Sequence, residues 1–146
     1  MDGDAKEAVL ISGDDSWGFF ELLEQVADSP IDARNLGLDL WADYYRESGE
    51  IPVENGVFVA RIDGVPAGFI CATPNEWGYA YLSSIFVSSR FRKRGLARRL
   101  IEHVKGEFKI DHFHAYVHEN NNAMENLMRS VSADARESGP WNDWVF

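Results

Sequence analysis

Arg92-Lys93-Arg94-Gly95-Leu96-Ala97 is the stretch whose residue types and spacing suit chemistry with an anion. An apolar run from Tyr79 to Val87 ends shortly before it, and a helical apolar pattern begins within it. A strand, a basic glycine turn and a helix start, in that order, make a site for a polyanion. The first-turn N–H groups of a helix have no intrahelical acceptor, and the helix dipole adds positive potential there. Gly95 lets the backbone approach a phosphate because no Cβ stands in the way. Ala97 keeps the turn small where a second N–H must face the ligand, and the arginines and lysine add charge. Taken alone, the same spacing also suits a solvated basic turn. The long strand before it and the clean helix after it favour the anion site.

The charge distribution points the same way. The net charge is −10, but residues 90–110 carry 8 basic and 2 acidic side chains, while residues 1–89 carry 4 basic and 16 acidic. One basic segment on an acidic body is not the broad basic face of a nucleic-acid binder. It suits an anionic ligand held at one spot, and an acidic surface that serves solubility or draws a cationic partner. With 146 residues, 45% of them hydrophobic, the chain suits a single domain over residues 1–146 with one core. No run approaches the roughly 20 apolar residues of a membrane span, and no membrane partner is expected. The acidic opening MDGDAKEAVLIS does not read as a signal peptide. Cys71 is the only cysteine, which excludes an intrachain disulfide and fits a reducing cytoplasm.

The elements that must position the loop follow from periodicity. Ala8 to Ile11 predicts a first strand, and Asp14, Asp15 and Ser16 are capping residues for a helix bearing Phe19, Leu22, Leu23 and Val26. A second helical stretch runs from about Asn35 to Glu47. Gly56 to Ile62 and Val65 to Thr73 flank Asp63-Gly64, a strong hairpin signal. Tyr79 to Val87 is the third strand of this meander, with Tyr79, Tyr81, Ser83, Ile85 and Val87 as its alternate positions. Ala97, Leu100, Ile101, Val104 and Phe108 give the clearest helix. His112 to Val117 reads as a strand with His112, His114 and Tyr116 on its polar face. Met124, Leu127, Met128 and Val131 continue as a shorter helix, and a last hairpin turns at Ser138-Gly139-Pro140. The order predicts a mixed α/β domain, α+β in its segregation, with a mostly antiparallel central sheet flanked by helices.

IFVSSRFRKRGLARRLIEHV resembles the acetyl-CoA motif of the GNAT superfamily of N-acetyltransferases, whose pattern (Q/R)-x-x-G-x-(G/A) lies between the fourth strand and the next helix. The order of elements matches over almost the whole chain. A weaker match, Glu119 to Leu127, is similar to the loop and helix after the fifth strand, where the family often shows N-x-x-A-x-x-L-Y. The resemblance implies a GNAT-like acyl-CoA N-acyltransferase fold that transfers an acetyl group from acetyl-CoA directly to a primary amine of a small molecule or peptide. It implies that Ile85, Phe86 and Val87 lend backbone groups to the pantetheine arm. It implies further that Arg92, Lys93, Arg94, Gly95, Leu96, Ala97 and Arg98 wrap the pyrophosphate, and that Asn121 bonds the pantetheine side.

Two family positions depart from the pattern. The tyrosine that acts as acid after the asparagine motif falls on Met128, and a glutamate base on the fifth strand falls on Tyr116. Tyr116 and His114, on the polar face of one strand, are the candidate catalytic residues in their place. His118, Tyr79, Tyr81, Ser83 and Glu76 are further candidates, and water is an alternative relay. His112 and His114 share a face, but a zinc site takes three or four protein ligands, so no metal is expected. Direct transfer needs no acyl-enzyme, so Cys71 is expected in the core. Asp39, Asp43 and Glu47 on the second helix are candidates to meet a cationic acceptor. The departure at Met128 keeps open a second reading, a catalytically inactive acyl-CoA-binding module of the same fold that acts as a sensor or partner domain. A small interaction domain with a basic loop is a third. The acceptor and the choice between monomer and homodimer are not legible.

Overall fold

The computed structural model describes residues 8–28, 56–118, 122–131, 134–138 and 141–146. The predicted second helix, Asn121 and the Ser138-Gly139-Pro140 turn beyond Ser138 lie outside them. The elements are β1 (Val9–Ser12), α1 (Ser16–Ala27), β2 (Gly56–Ile62), β3 (Val65–Pro74), β4 (Tyr79–Val87), a 3-10 turn (Ser89–Phe91), α2 (Leu96–Phe108), β5 (His112–His118), α3 (Asn122–Ser130), β6 (Asp134–Ser138) and β7 (Trp141–Val145). They form a seven-stranded sheet in the order β1-β2-β3-β4-β5-β7-β6. Every pairing is antiparallel except β4 with β5. Parallel neighbours need a crossover, and α2 supplies it.

Local chemistry accounts for the element ends. The Asp15 carboxylate caps α1 by accepting from the Gly18 N–H at 2.9 Å. The same carboxylate takes two hydrogen bonds from Arg61 on β2, at 2.5 Å from Nε and 3.1 Å from Nη2. Arg61 holds the Asp15 carboxyl below the usual carboxylate range, and the paired carboxylate raises Arg61 in turn. The β2–β3 hairpin turns on Asp63 and Gly64, both at positive φ, as its Asp-Gly sequence dictates. Pro66 sits where the β2–β3 register shifts by one residue, a place where its missing N–H costs no ladder bond.

The sheet buries both faces. On one face, Phe19, Leu22, Leu23 and Val26 of α1 pack on Val57, Val59, Phe69, Cys71 and Phe86. On the other, Leu96, Leu100, Ile101 and Val104 of α2 and Met128 of α3 pack on Phe58, Ala60, Ile70, Leu82, Ile85 and Phe113. Full burial of side chains such as Leu100 and Ile101 contributes roughly 1.5–3 kcal/mol each. β3 is buried along most of its length, as its unbroken apolar sequence requires of a central strand.

Simple alternation puts Tyr79, Tyr81, Ser83, Ile85 and Val87 on one face of β4. The β3–β4 ladder instead runs Cys71 to Ser84 and then Ala72 to Leu82, so Ser83 has no partner in β3. This β-bulge reverses the parity of the strand. Before it, Ala80 and Leu82 face α2 and α3; after it, Ile85 does, and Phe86 faces α1.

Candidate functional site

The parallel ladder between β4 and β5 has three rungs, Tyr79–His112, Ala80–Phe113 and Tyr81–His114. Beyond the last rung, β4 runs on to Val87 while β5 continues to His118 against β7. The two strands therefore part at Tyr81 and His114, next to the bulge at Ser83. The backbone of the far half of β4 is alternately directed. The Ser88 N–H donates to the Ala67 carbonyl at 2.8 Å, on the β3 side. By the alternation of an antiparallel ladder, Phe86 also bonds towards β3, and Ile85 and Val87 turn their N–H and C=O groups to the parted edge. Of the three residues predicted to lend backbone groups there, Ile85 and Val87 have the orientation for it. The Phe86 side chain fills the core against α1.

Close packing of β3 and β4 at this point depends on Gly68. A Cβ there would lie 2.7 Å from the Phe86 carbonyl oxygen and 3.4 Å from the Leu96 side chain. Gly68 thus lets the first residue of α2 sit directly over the end of β4.

The basic loop leads from that strand end into α2. Gly95 is the N-cap residue and is left-handed, at φ 75°. Lys93 is left-handed too, at φ 64°, which costs a residue with a Cβ roughly 1–2 kcal/mol. Left-handed residues on either side of Arg94 are the kind of conformation from which anion-binding backbone nests are built. The first helical hydrogen bond runs from the Arg99 N–H to the Gly95 carbonyl at 3.1 Å. The N–H groups of Leu96, Ala97 and Arg98 therefore have no acceptor within the helix. A Cβ added at Gly95 would meet no protein atom within 4 Å, so the surface over this glycine is open.

The loop arginines have structural partners of their own. Arg92 Nε donates to the Val87 carbonyl at 2.8 Å, and its guanidinium lies 5.7 Å from the centre of the Phe86 ring. Arg90 and Arg94 stand 5.0 and 5.6 Å from the centre of the buried Phe91 ring. Arg98 donates through Nη2 to the Ser130 carbonyl in the last turn of α3, which ties the start of α2 to the end of α3. The side chains of Arg90, Arg92, Arg94 and Arg98 thus brace the loop, which leaves the first-turn N–H groups of α2 as the donors for an anion. In the sequence their side chains count as charge, beside a loop expected to wrap the pyrophosphate. Their aromatic partners, Phe86 and Phe91, were the available signal.

His114 stands at the point where β4 and β5 part. Its ring centre is 4.6 Å from that of Tyr79 and 6.0 Å from that of Tyr81. Tyr116 is on the same strand, opposite Asp143 of β7. Its side chain, like those of Ser83 and His118, lies outside the described residues. Met128, where the sequence resemblance expected a tyrosine, is fully buried among the core residues between α2, α3 and the sheet. Cys71 is buried on the α1 face, and burial pushes its thiol up to about 11, an effect that a hydrogen bond with Ser84 only partly offsets. A thiol so placed stays protonated at neutral pH. Among the described residues, no three His, Cys, Asp or Glu side chains converge to hold a metal ion, and no helix is long and apolar enough to cross a membrane.

A mixed sheet parted between two parallel strands, with a helix N-terminus over one end of the gap, is an architecture for an extended ligand that carries phosphate. The sequence model of the acetyltransferase (GNAT) family matches residues 19–131, and the chain belongs to that family. Solved structures of the same fold span nearly the whole chain. The paia N-acetyltransferase of Thermoplasma acidophilum, in complex with coenzyme A, is 12% identical with a TM-score of 0.68, covering 94% of this chain and 98% of that one. An acetyltransferase from Thermus thermophilus is 15% identical with a TM-score of 0.72, covering 95% and 96%. The GNAT domain of S. lividans PAT is 20% identical with a TM-score of 0.70, covering 94% and 88%. No relative among curated proteins matches the sequence.

Proposed function

We propose that the protein is an N-acetyltransferase that moves the acetyl group of acetyl-CoA to a primary amine of a small molecule or peptide. The observation that carries this reading is the alignment of two open sets of backbone donors. The parted edge of β4 offers the N–H and C=O of Ile85 and the N–H of Val87, whose carbonyl already accepts from Arg92, to an extended amide-bearing arm, as an added strand would be bound. The first turn of α2, entered through Lys93 and Gly95, offers N–H groups to a pyrophosphate. Coenzyme A carries both features, and the family and the coenzyme-bound neighbour support the same ligand.

In this reading the thioester comes to the apex where β4 and β5 separate. The amine, in its neutral form, attacks the carbonyl carbon and its N–C bond forms. An N–H on the open edge of β4 steadies the oxyanion. The C–S bond then breaks, the thiolate takes a proton, and the nitrogen releases one. His114 and Tyr116 are the side chains proposed to move these protons, with water as the intermediary where distance requires it. Cys71, buried and protonated, takes no part. The reducing cytoplasm is the proposed setting, since the chain has no disulfide to protect.

The second reading, a silent acyl-CoA-binding module that acts as a sensor or partner domain, rests on Met128, which fills the core at the position where the sequence resemblance would put a tyrosine acid. Thiol release from acetyl-CoA across a panel of primary amines separates the two. Amine-dependent release supports the enzyme. Saturable acetyl-CoA binding without release for any amine supports the module.

A further inference from the structure

On the sheet face opposite α2, the first halves of β4 and β5 carry Tyr79, Tyr81, His112 and His114, and Trp77 of the turn before β4 extends them into a continuous set of rings. Trp77 stacks on Tyr79 with centres 6.4 Å apart and planes 23° from parallel, and His112 stacks on Tyr79 from 5.3 Å at 17°. Tyr81 meets Tyr79 edge-on at 5.6 Å, and His114 is 5.5 Å from His112. The set is not core. Trp77 is 73% exposed and Tyr81 39%, while Tyr79, His112 and His114 are half-buried.

The patch has a fixed relation to the proposed acetyl-transfer point. Tyr81 and His114 form the last rung before the strands part. Ala80 and Leu82 point to the α2 face, so the rings between and beside them point away from it. A ligand lying on the rings would therefore reach the gap from the side opposite the phosphate-binding helix end. The edges of the patch are acidic. Glu76 precedes Trp77 and Asp111 precedes His112, both exposed, and the Asp111 N–H reaches the Gly78 carbonyl at 3.4 Å, which brings the two turns together. Lys109 sits on the α2 side of the second turn, at the helix C-cap.

Ring faces of Trp and Tyr attract cations within about 6 Å of their centres. Tyr79 is stacked on by Trp77 and His112, so a cation on this surface meets the exposed rings of Trp77 and Tyr81, with Tyr79 holding Trp77 in place between them. Nearby carboxylates add to that attraction, and the body of the protein is strongly acidic. We infer that Trp77, Tyr79 and Tyr81 form the acceptor-recognition surface of this enzyme, and that the acceptor carries a second, non-reacting cationic group that lies on these rings while its free amine enters the gap. The inference rests on the acetyltransferase reading and names the acceptor class for it.

The test uses two probes, trimethylammonium-butylamine and its tert-butyl isostere, which differ only in a charged nitrogen against a neutral carbon. Binding of each to the full chain saturated with coenzyme A is measured by calorimetry. The charged probe is expected to bind about ten-fold tighter. Trp77→Leu, at an exposed position that does not threaten folding, should cut that preference to about two- or three-fold. Tyr79→Leu should act likewise, and Tyr79→Phe, which keeps the ring, should retain the preference. Equal binding of the two probes, or a preference untouched by both leucine variants, would overturn the inference. So would dimerisation through this face, seen as a monomer–dimer equilibrium that Trp77→Leu abolishes with no change in probe preference. Binding of coenzyme A itself is recorded separately, so its loss counts against the acetyltransferase reading and its presence isolates the acceptor question.

Discussion

Gly95→Val separates the geometry of the anion site from the stability of the fold. Gly95 sits at φ 75° with nothing within 4 Å of an added Cβ, so the substitution brings backbone strain and no clash with protein. Placing an L-residue in this region costs about 1–2 kcal/mol, and more for a β-branched one. For a chain of this size that is a fall in Tm of about 3–8 °C. Ligand binding should suffer far more. The added side chain stands over the first turn of α2, where the pyrophosphate must approach the N–H groups of Leu96, Ala97 and Arg98. Losing two charge-assisted hydrogen bonds costs about 3 kcal/mol, or about a hundredfold in Kd. Gly95→Ala should fall between the two, with the same strain and less obstruction. The assay is calorimetric titration of acetyl-CoA beside urea unfolding of each variant. Gly95→Val that binds acetyl-CoA within about two-fold of the native protein would refute this placement of the phosphate.

Asp15→Ala removes both the α1 cap and the partner of Arg61 and should lower stability by about 2 kcal/mol in urea unfolding. Because Arg61 lowers the Asp15 pKa in the folded state, that contribution is fully present above the unfolded value of about 3.9 and fades as pH falls through the lower folded value; Asp15→Asn should flatten this acid limb of the Tm profile. Gly68→Ala drives a Cβ into the Phe86 carbonyl, so it should destabilise by about 1–3 kcal/mol and also weaken acetyl-CoA binding by shifting the end of β4. Cys71→Ala should retain amine-dependent thiol release, and the native thiol should resist iodoacetamide until the protein unfolds, because burial keeps it protonated.

Legibility in the sequence tracked how local each signal was. The hairpin at Asp63-Gly64, the periodicity of Leu100, Ile101 and Val104, and the cap at Asp15 each act over a few residues, and each element formed where its pattern lay. The glycine turn into α2 was legible because Gly95 and its basic neighbours sit together in the chain. The bulge at Ser83 was not, since a polar pair, Ser83-Ser84, inside an apolar run is compatible with plain alternation. Only the register against Cys71 and Ala72 reveals the extra residue. The parted strands and the ring patch were hidden for the same reason: they join residues of β4 to residues of β5 across an intervening helix. Met128 read in sequence as a missing acid. In the fold it is also a packed core residue, and a tyrosine hydroxyl in that environment would need a buried partner.

Residue-resolved amide hydrogen exchange, with and without acetyl-CoA, tests the central placement most directly. Binding should slow exchange at Ile85 and Val87 on the open edge of β4 and at Leu96, Ala97 and Arg98 in the first turn of α2. Phe86, already bonded towards β3, should change little. Saturable binding that leaves those five amides unprotected, or protects Phe86 in place of its neighbours, would contradict the account.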